Sequence, residues 1–238
     1  MTNRFIFRQV YYKDLQTFLM DGEIRAKNHP NMQRLHQTSY QAIVDRRGTD
    51  EFPMPNGMVV NDFVAFYFSP ITSFTYAIYN KRVPLLSPQG ENLGQACEDD
   101  RIFMVSTPQK IYDCGLTACF SDYALNSQAP IPTIETDLNR LEDHIHWDVF
   151  DEQPMIASIP KIGYHGVCKW FKNRATPEKH KTRNKKRMAE FLVCNAVPLD
   201  TILCIVVKTD DIKAQLQDMM DASEWNIPIL TKPGCFYG

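Results

Sequence analysis

The apolar runs of this chain are short, and that feature limits the possible folds more than any other. The longest strictly apolar run, "ILCIVV" at 202–207, has six residues. Six residues suffice for a buried strand, whereas a membrane-spanning helix needs about 20. The first stretch, "MTNRFIFRQVYYKDL", lacks the apolar segment that a secretory signal requires. We therefore expect a cytoplasmic protein with no membrane partner, built from short strands and helices.

Composition and cysteine usage agree with an ordinary globular protein. The 238 residues are 44% hydrophobic and 23% charged, so the chain can bury a large core as one domain spanning residues 1–238. The seven cysteines are scattered and form no Cys-x-x-Cys pair. This spacing favours buried, reduced thiols over disulfides or a zinc ribbon. His144 and His146 have no third ligand near them in the sequence, so we predict no metal site.

Local patterns indicate both strands and helices. Strand character is found in "FVAFYF", which Pro70 closes, and at 102–106, 117–120, 190–193 and 201–208. Helical spacing of apolar residues is found at 11–20, with Gly22 as a stop, and in "TSFTYAIYNKR", "ETDLNRLEDHIHWDVF" and "DDIKAQLQDMMDA". The segment "NAVPLD" is read as a turn. Together these patterns predict an α+β fold with a central, mostly antiparallel sheet.

Positive charge is concentrated in one segment. Residues 169–187 contain nine Lys or Arg and one acid, Glu178, which gives +8; because the whole chain carries −2, the remainder carries −10. Such a segment favours a polyanionic partner, since phosphate contacts release counterions. Trp170 and Phe171 lie among these cations, and aromatic rings in that setting suit the stacking of unpaired bases. The alternative is a solvated basic loop.

The stretch "RNKKRMAEFLV", residues 183–193, places a lone carboxylate, Glu190, between the basic segment and an apolar run. A charge at the head of a buried strand is costly unless it is paired or functional. Glu190 is therefore either a solvated strand end or a group that acts on whatever the cations hold. The signatures GxxxxGK[ST], GxGxxG, GxSxG and HExxH are absent, so a nucleotide would need another mode of binding.

Five blocks, taken in order, resemble the DarT-type ADP-ribosyltransferases, toxins that move ADP-ribose from NAD onto bases of single-stranded DNA. The blocks are "DLQTFLMDGEIRAKN", "AIVDRR", "NDFVAFYFSPITSFTYAIYN", "CFSDYALN…DLNRLEDHIHWDVF" and "KKRMAEFLVCNAVPLDTILCIVV". The resemblance implies the ADP-ribosyltransferase fold, a split, mostly antiparallel β-sandwich with peripheral helices that holds NAD in a cleft. It also implies an antitoxin partner that hydrolyses ADP-ribose from DNA.

The resemblance assigns roles to individual residues. Glu190 matches the family's catalytic carboxylate, and the arginine that assists NAD and base chemistry falls on Arg46 or Arg47. Tyr11 replaces a histidine that contacts the NAD ribose in family members. The residues expected to bind the cofactor are Tyr11, Asn28, Phe66, Tyr67, Phe68, Ser69 and Tyr76. Those expected to bind DNA are Lys169, Trp170, Lys172, Arg174, Lys185, Lys186 and Arg187.

These assignments have simpler alternatives. The aromatic run at 63–68 can be core, Asn28 can be a turn residue, and Arg46 and Arg47 can solvate a helix end. The chemistry favours the functional interpretation, because cleavage of the nicotinamide–ribose bond develops positive charge that a carboxylate stabilises. We expect a toxin that ADP-ribosylates guanine or thymine in single-stranded DNA. The alternatives are a non-catalytic single-strand binder, or a transferase acting on RNA or protein.

Overall fold

The computed structural model describes residues 3–52 and 54–238. The β-strands are β1 (Ile6–Tyr11), β2 (Glu23–Arg25), β3 (Gln37–Thr38), β4 (Phe63–Tyr67), β5 (Pro84–Leu86), β6 (Asn92–Gln95), β7 (Arg101–Ser106), β8 (Ala118–Ser121), β9 (Ile134–Glu135), β10 (Met155–Ile156), β11 (Val167–Cys168), β12 (Glu190–Cys194), β13 (Ala196–Pro198), β14 (Cys204–Val207) and β15 (Ile229–Thr231). The α-helices are α1 (Leu15–Asp21), α2 (Gln41–Arg47), α3 (Ser73–Tyr79), α4 (Pro108–Asp113), α5 (Leu141–His144), α6 (Arg183–Lys186) and α7 (Asp210–Asp221).

Eight strands form the central sheet, in the order β15-β14-β7-β1-β4-β12-β8-β9. All neighbours in it are antiparallel except β14 and β15. The sheet is almost divided at its centre, because β1 pairs with β7 along six residues but with β4 only where Phe7 faces Tyr67. Past that position the two half-sheets separate. The edge of β1 from Arg8 to Tyr11 is therefore left open on the side of β4.

Two helices protect one end of the sheet. α7 packs on β14 and β15 and against α1. Its buried residues Ile212, Leu216 and Met220 are four positions apart, which places them on one helix face. The side chain of Thr209 caps α7 by accepting a hydrogen bond from the Ile212 N–H. α1 ends at Gly22, whose φ of 73° is the left-handed conformation that glycine adopts without strain.

Most predicted elements are present, and three differ. The helix predicted at 11–20 begins only at Leu15, because Tyr11 ends a strand. The long helix predicted in "ETDLNRLEDHIHWDVF" is wrong: α5 has four residues, since Ile145 is extended (φ −85°, ψ 138°) and the chain then turns to bury Val149 and Phe150. The predicted turn "NAVPLD" contains β13, which pairs with β2.

Two further findings concern features that the sequence raised. Across the described part of the chain, no helix combines the length and hydropathy needed to cross a membrane. All seven cysteines are free, and four of them are buried.

Candidate active site

A cleft of about 460 Å³ lies where the central sheet splits. Arg8 to Tyr11 of the open β1 edge line it, together with Tyr67 of β4, Glu190 of β12 and Arg47 of α2. Its volume is within the range of roughly 300–1,000 Å³ that is usual for small-molecule sites. Because β1 has a free edge here, backbone N–H and C=O groups are available to a ligand alongside the side chains.

Glu190 and Arg47 form a bidentate ion pair in this cleft. Arg47 Nη1 donates to Glu190 Oε1 at 3.0 Å, and Nη2 donates to Oε2 at 2.8 Å. Glu190 is 3% exposed, and its backbone N–H donates to Ser121 Oγ at 3.0 Å, which fixes the first residue of β12. Burial alone would lower the pKa of Arg47, but the adjacent carboxylate more than offsets it and raises that pKa. The carboxylate still has free lone pairs for a ligand hydroxyl, since each carboxylate can accept about four hydrogen bonds.

Arg8 and Tyr67 complete this end of the cleft. Arg8 Nη1 donates to the Ala65 carbonyl at 2.9 Å, which turns its guanidinium across the split. Burial and the neighbouring Arg47 lower the pKa of Arg8 to about 10, so it stays charged at neutral pH. Burial and the Glu190 carboxylate raise the pKa of Tyr67, which therefore remains a neutral hydrogen-bond donor. Two guanidinium groups and one carboxylate leave this region with a net positive charge that suits a phosphate-bearing ligand.

A pair of polar side chains, Asp14 and His36, lines the cleft beside the Tyr11 end of β1. His36 Nδ1 is 2.7 Å from Asp14 Oδ1, and the same oxygen accepts the His36 backbone N–H at 3.2 Å. The imidazole packs against Tyr11, with ring centroids 4.3 Å apart. Burial raises the pKa of Asp14, an effect that the hydrogen bonds from His36 oppose. Phe7 marks the split of the sheet and Tyr11 packs on His36. At roughly 3.3 Å per strand residue these two positions of β1 are about 13 Å apart, so a ligand that reaches both the split and His36 would have to be long.

The residues predicted to bind the cofactor are only partly brought together. Tyr11 and Tyr67 line the cleft. Phe66 and Phe68 are buried in the core, as their hydrophobicity alone would indicate. Tyr76 packs instead against Phe171 and Tyr237.

Ser69 and Asn28 also do not line the cleft, although Asn28 is next to Lys27 and bonded to Asn61, which do. Ser69 is buried, where its hydroxyl donates to the Ile71 carbonyl at 3.1 Å and accepts from Arg187 Nη2 at 3.1 Å. Asn28 is exposed and donates to Asp62 Oδ1 at 2.8 Å, in agreement with its alternative as a turn residue. Of the seven predicted cofactor residues, two therefore line the cleft.

The basic segment is less free than its composition predicts. Arg187 is fully buried, and its guanidinium donates to the carbonyls of Ile71 (2.9 Å), Cys168 (2.9 Å) and Trp170 (3.0 Å). Arg187 is therefore an internal donor: the hydrogen bonds of its guanidinium go to backbone carbonyls and to the Ser69 hydroxyl, and its role as a DNA ligand stays a prediction that its burial does not favour. Lys186 is buried as well, with Nζ 3.3 Å from the Lys179 carbonyl.

The remaining predicted DNA ligands except Lys185 are at the surface. Trp170 is 40% exposed, with Arg174 Cζ 4.9 Å and Lys169 Nζ 5.6 Å from its ring centroid. Lys172 is exposed and lies 4.8 Å from the Tyr76 ring. Lys185 is half-buried, with Nζ bonded to the Ala129 carbonyl. Its own carbonyl accepts the Ala124 N–H at 2.8 Å, which connects α6 to a loop that lines the cleft.

Sequence reasoning missed most polar residues of the cleft, among them Arg8, Asp14 and His36. Arg8 carried a usable signal, because a charge within the apolar run "FIFRQV" has the same anomaly as Glu190 at the head of "FLV". Asp14 and His36 carried none, since they are 22 residues apart and meet only in the folded chain.

The fold is shared with solved ADP-ribosyltransferases. DarT of Thermus sp. 2.9 in complex with ADP-ribosylated single-stranded DNA superposes with a TM-score of 0.75 at 20% identity, covering 100% of this chain and 98% of that one. The same protein with NAD+ gives 0.71 at 20% identity, covering 100% and 99%. DarTG of Thermosipho africanus with ADP-ribose gives 0.63 at 15% identity, covering 98% of this chain and 51% of that one. The ADP-ribosyltransferase fold predicted from the sequence is thereby confirmed.

Sequence comparison narrows this class to one family. The family described as "ssDNA thymidine ADP-ribosyltransferase, DarT" matches residues 10–237. The chain therefore belongs to the DarT family. A DNA ADP-ribosyl transferase of Thermus sp. (strain 2.9) is 30% identical over 118 residues, a match that spans about half of each protein, 49% of this chain and 51% of the relative.

Proposed function

We propose that this protein transfers ADP-ribose from NAD to a thymine base of single-stranded DNA, with Glu190 as the catalytic carboxylate. The observation that carries the proposal is the buried Glu190–Arg47 pair in the cleft at the split of the sheet. The family description supports thymine over guanine. The two complexes of Thermus sp. 2.9 DarT, one with NAD+ and one with ADP-ribosylated single-stranded DNA, support the two substrates.

The chemistry follows from the charges of the cleft. As the bond between the nicotinamide nitrogen and ribose C1′ breaks, nicotinamide leaves as a neutral molecule and positive charge develops on the ribose. Glu190, accepting a hydrogen bond from a ribose hydroxyl, stabilises that charge. A ring nitrogen of the base then bonds to C1′ and loses its proton, for which Glu190 is the acceptor.

The two arginines have distinct tasks in this proposal. Arg8, on the open β1 edge, pairs with the pyrophosphate of NAD. Arg47 holds the Glu190 carboxylate in one orientation and lowers the cost of deprotonating the base. Arg46 also lines the cleft, but we assign it no part in the chemistry because its side chain is 41% exposed and pairs with Glu51 instead of Glu190.

The DNA reaches this site along the exposed part of the basic segment. Trp170 offers a face for base stacking, which is worth about 1–3 kcal/mol per base. Lys169, Lys172 and Arg174 lie close to its ring or to that of Tyr76 and can contact phosphates. An antitoxin that removes ADP-ribose from DNA is the proposed partner. The name DarTG of the Thermosipho relative, only half of which this chain covers, supports a second component.

The test is incubation with NAD and four oligonucleotides that differ in a single central base. We expect the oligonucleotide with a central thymine to gain the mass of one ADP-ribosyl group, with release of one nicotinamide. RNA and protein acceptors in the same reaction distinguish the other acceptor classes. Transfer to none of the DNA oligonucleotides would contradict the proposal.

A further inference from the structure

The exposed part of the basic segment forms an arch, residues 169–182. Its two ends are fixed separately; we call the end after β11, residues 169–170, the outgoing foot and the end before α6, residues 179–182, the return foot. The outgoing foot follows β11, and there Arg187 donates to the carbonyls of Cys168 and Trp170. The arch closes on itself where the Arg174 N–H donates to the His180 carbonyl at 3.1 Å. The return foot leads into α6 and then to Glu190 in the cleft.

Glu152 holds the return foot. Its Oε1 is 2.7 Å from Lys179 Nζ and 2.8 Å from His180 Nε2, and its Oε2 accepts from Arg183 Nη2. Arg183 is fully buried, and its Nε and Nη1 have no hydrogen-bond partner within the described residues. Although burial acts in the opposite direction, the contacts with Lys179 and His180 lower the pKa of Glu152 to about 2. The carboxylate is therefore ionised at neutral pH and neutralises a buried guanidinium.

We propose that Glu152 is a positioning residue for nucleic-acid binding. It contacts no substrate; it fixes the return foot so that Trp170 and the cations of the arch face the strand in one arrangement. The inference rests on the proposed function, since it takes single-stranded DNA as the ligand of the arch. Loss of the carboxylate would leave Arg183 buried without a counter-ion, and the foot would have to open to hydrate it.

A purely electrostatic role predicts the opposite result. If Glu152 only placed a negative charge near DNA, its removal would strengthen DNA binding, because the arch would gain positive charge. Glu178 provides the matched control, since it lies on the arch that Glu152 holds, its side chain is 82% exposed, and among the described residues it pairs only with Lys181, at 2.6 Å. Glu152→Gln and Glu178→Gln change the net charge equally, but the Glu152 carboxylate is 25% exposed and holds three basic side chains, whereas that of Glu178 is 82% exposed and holds one.

The kinetic test compares KM for the thymine oligonucleotide with KM for NAD in these two variants. We expect Glu152→Gln to raise the KM for DNA by about tenfold, because a preorganised surface is lost, with the KM for NAD within about twofold. Glu178→Gln should bind DNA as tightly as the unmodified protein or more tightly. A Glu152→Gln protein with unchanged or lower KM for DNA would overturn the proposal.

Limited trypsin digestion tests, without DNA, whether Glu152 fixes the return foot of the arch. Cleavage in the arch should be at least about tenfold faster in Glu152→Gln than in Glu178→Gln, since a released foot exposes the backbone to protease. Equal cleavage rates would overturn the inference. If cleavage were faster in Glu152→Gln but the unmodified protein modified no oligonucleotide, the proposed function would fail, whereas the role of Glu152 in fixing the return foot would be retained.

A double variant covers the case in which Glu152→Gln does not fold. Glu152→Gln/Arg183→Met removes the buried charge together with its counter-ion, a change that proteins often tolerate. It should unfold at the temperature of the unmodified protein. Its KM for DNA should still rise by about threefold, because Lys179 and His180 lose their acceptor. An unchanged KM for DNA in this folded variant would also overturn the proposal.

Discussion

Two adjacent arginines, Arg46 and Arg47, have different surroundings because neighbouring helix residues point about 100° apart. Val44 is buried on the inner face of α2, and Arg47 follows three positions later on that face. Arg46 therefore faces solvent and pairs with Glu51. The sequence analysis left the choice between Arg46 and Arg47 open. The three-residue spacing from the apolar Val44 favours Arg47 as the arginine on the inner face of the helix.

We predict that Arg47→Gln lowers kcat/KM for transfer by at least about 100-fold, whereas Arg46→Gln stays within about threefold. The reason is that Arg47 makes two charge-assisted hydrogen bonds to Glu190, each worth roughly 1.5–3 kcal/mol. Initial rates of nicotinamide release with saturating oligonucleotide measure both. Equal losses in the two variants would show that the ion pair has no special role.

At the scale of elements, α6 shows that a count of charges in the sequence overestimates how many cations face solvent. Arg183, Lys186 and Arg187 contribute to the +8 charge of the basic segment, but all three are buried. The helix is one short turn between the arch and β12, so its side chains fill the space between elements instead of projecting from them. A run of cations indicates a surface only where the backbone itself is exposed.

Arg187→Met should lower the free energy of unfolding by about 3–5 kcal/mol, because three backbone carbonyls lose a charged donor in the interior. Arg174→Met, in the exposed arch, should change it by no more than about 0.5 kcal/mol. Urea unfolding of the two variants gives both values. A stable Arg187→Met protein with weakened DNA binding would restore Arg187 to the list of DNA ligands.

At the scale of the whole molecule, the structure reduces the number of cations that can meet DNA. Of the nine in the basic segment, Lys169, Lys172 and Arg174 are exposed and form no salt bridge within the part of the chain that the structure describes. Lys179 and Arg183 are paired with Glu152, and the rest are paired or bonded to carbonyls.

The salt dependence of single-stranded DNA binding should reflect this smaller number. Each phosphate neutralised contributes a slope of about −0.7 in log K against log salt concentration, so three contacts predict about −2 and nine would give about −6. Fluorescence anisotropy with a labelled oligonucleotide measures the slope. Lys172→Gln should remove about one phosphate contact and make the slope less negative by about 0.7. A slope near −6 would mean that the arch opens on DNA and releases its internal cations.

How far the sequence predicted the molecule depends on the range of the interactions. The strands around "FVAFYF" and "ILCIVV" follow from local propensity, and both were correct. Glu190 was singled out because a charge before an apolar run is a local anomaly. The Asp14–His36 pair and the internal role of Arg187 were missed, since they depend on contacts between distant segments that no local pattern encodes.

The central claim is that the Glu190 carboxylate, held by Arg47 at the split of the sheet, is where NAD is cleaved. The most direct test is single-turnover transfer to the thymine oligonucleotide by Glu190→Gln, which keeps the shape of the side chain and removes its charge. Glu51→Gln is the control, because Glu51 also pairs with an arginine but lies at the surface. We predict that Glu190→Gln still binds NAD and transfers ADP-ribose at least about 10³-fold more slowly, with Glu51→Gln unaffected. Transfer by Glu190→Gln at the rate of the unmodified protein would contradict the claim.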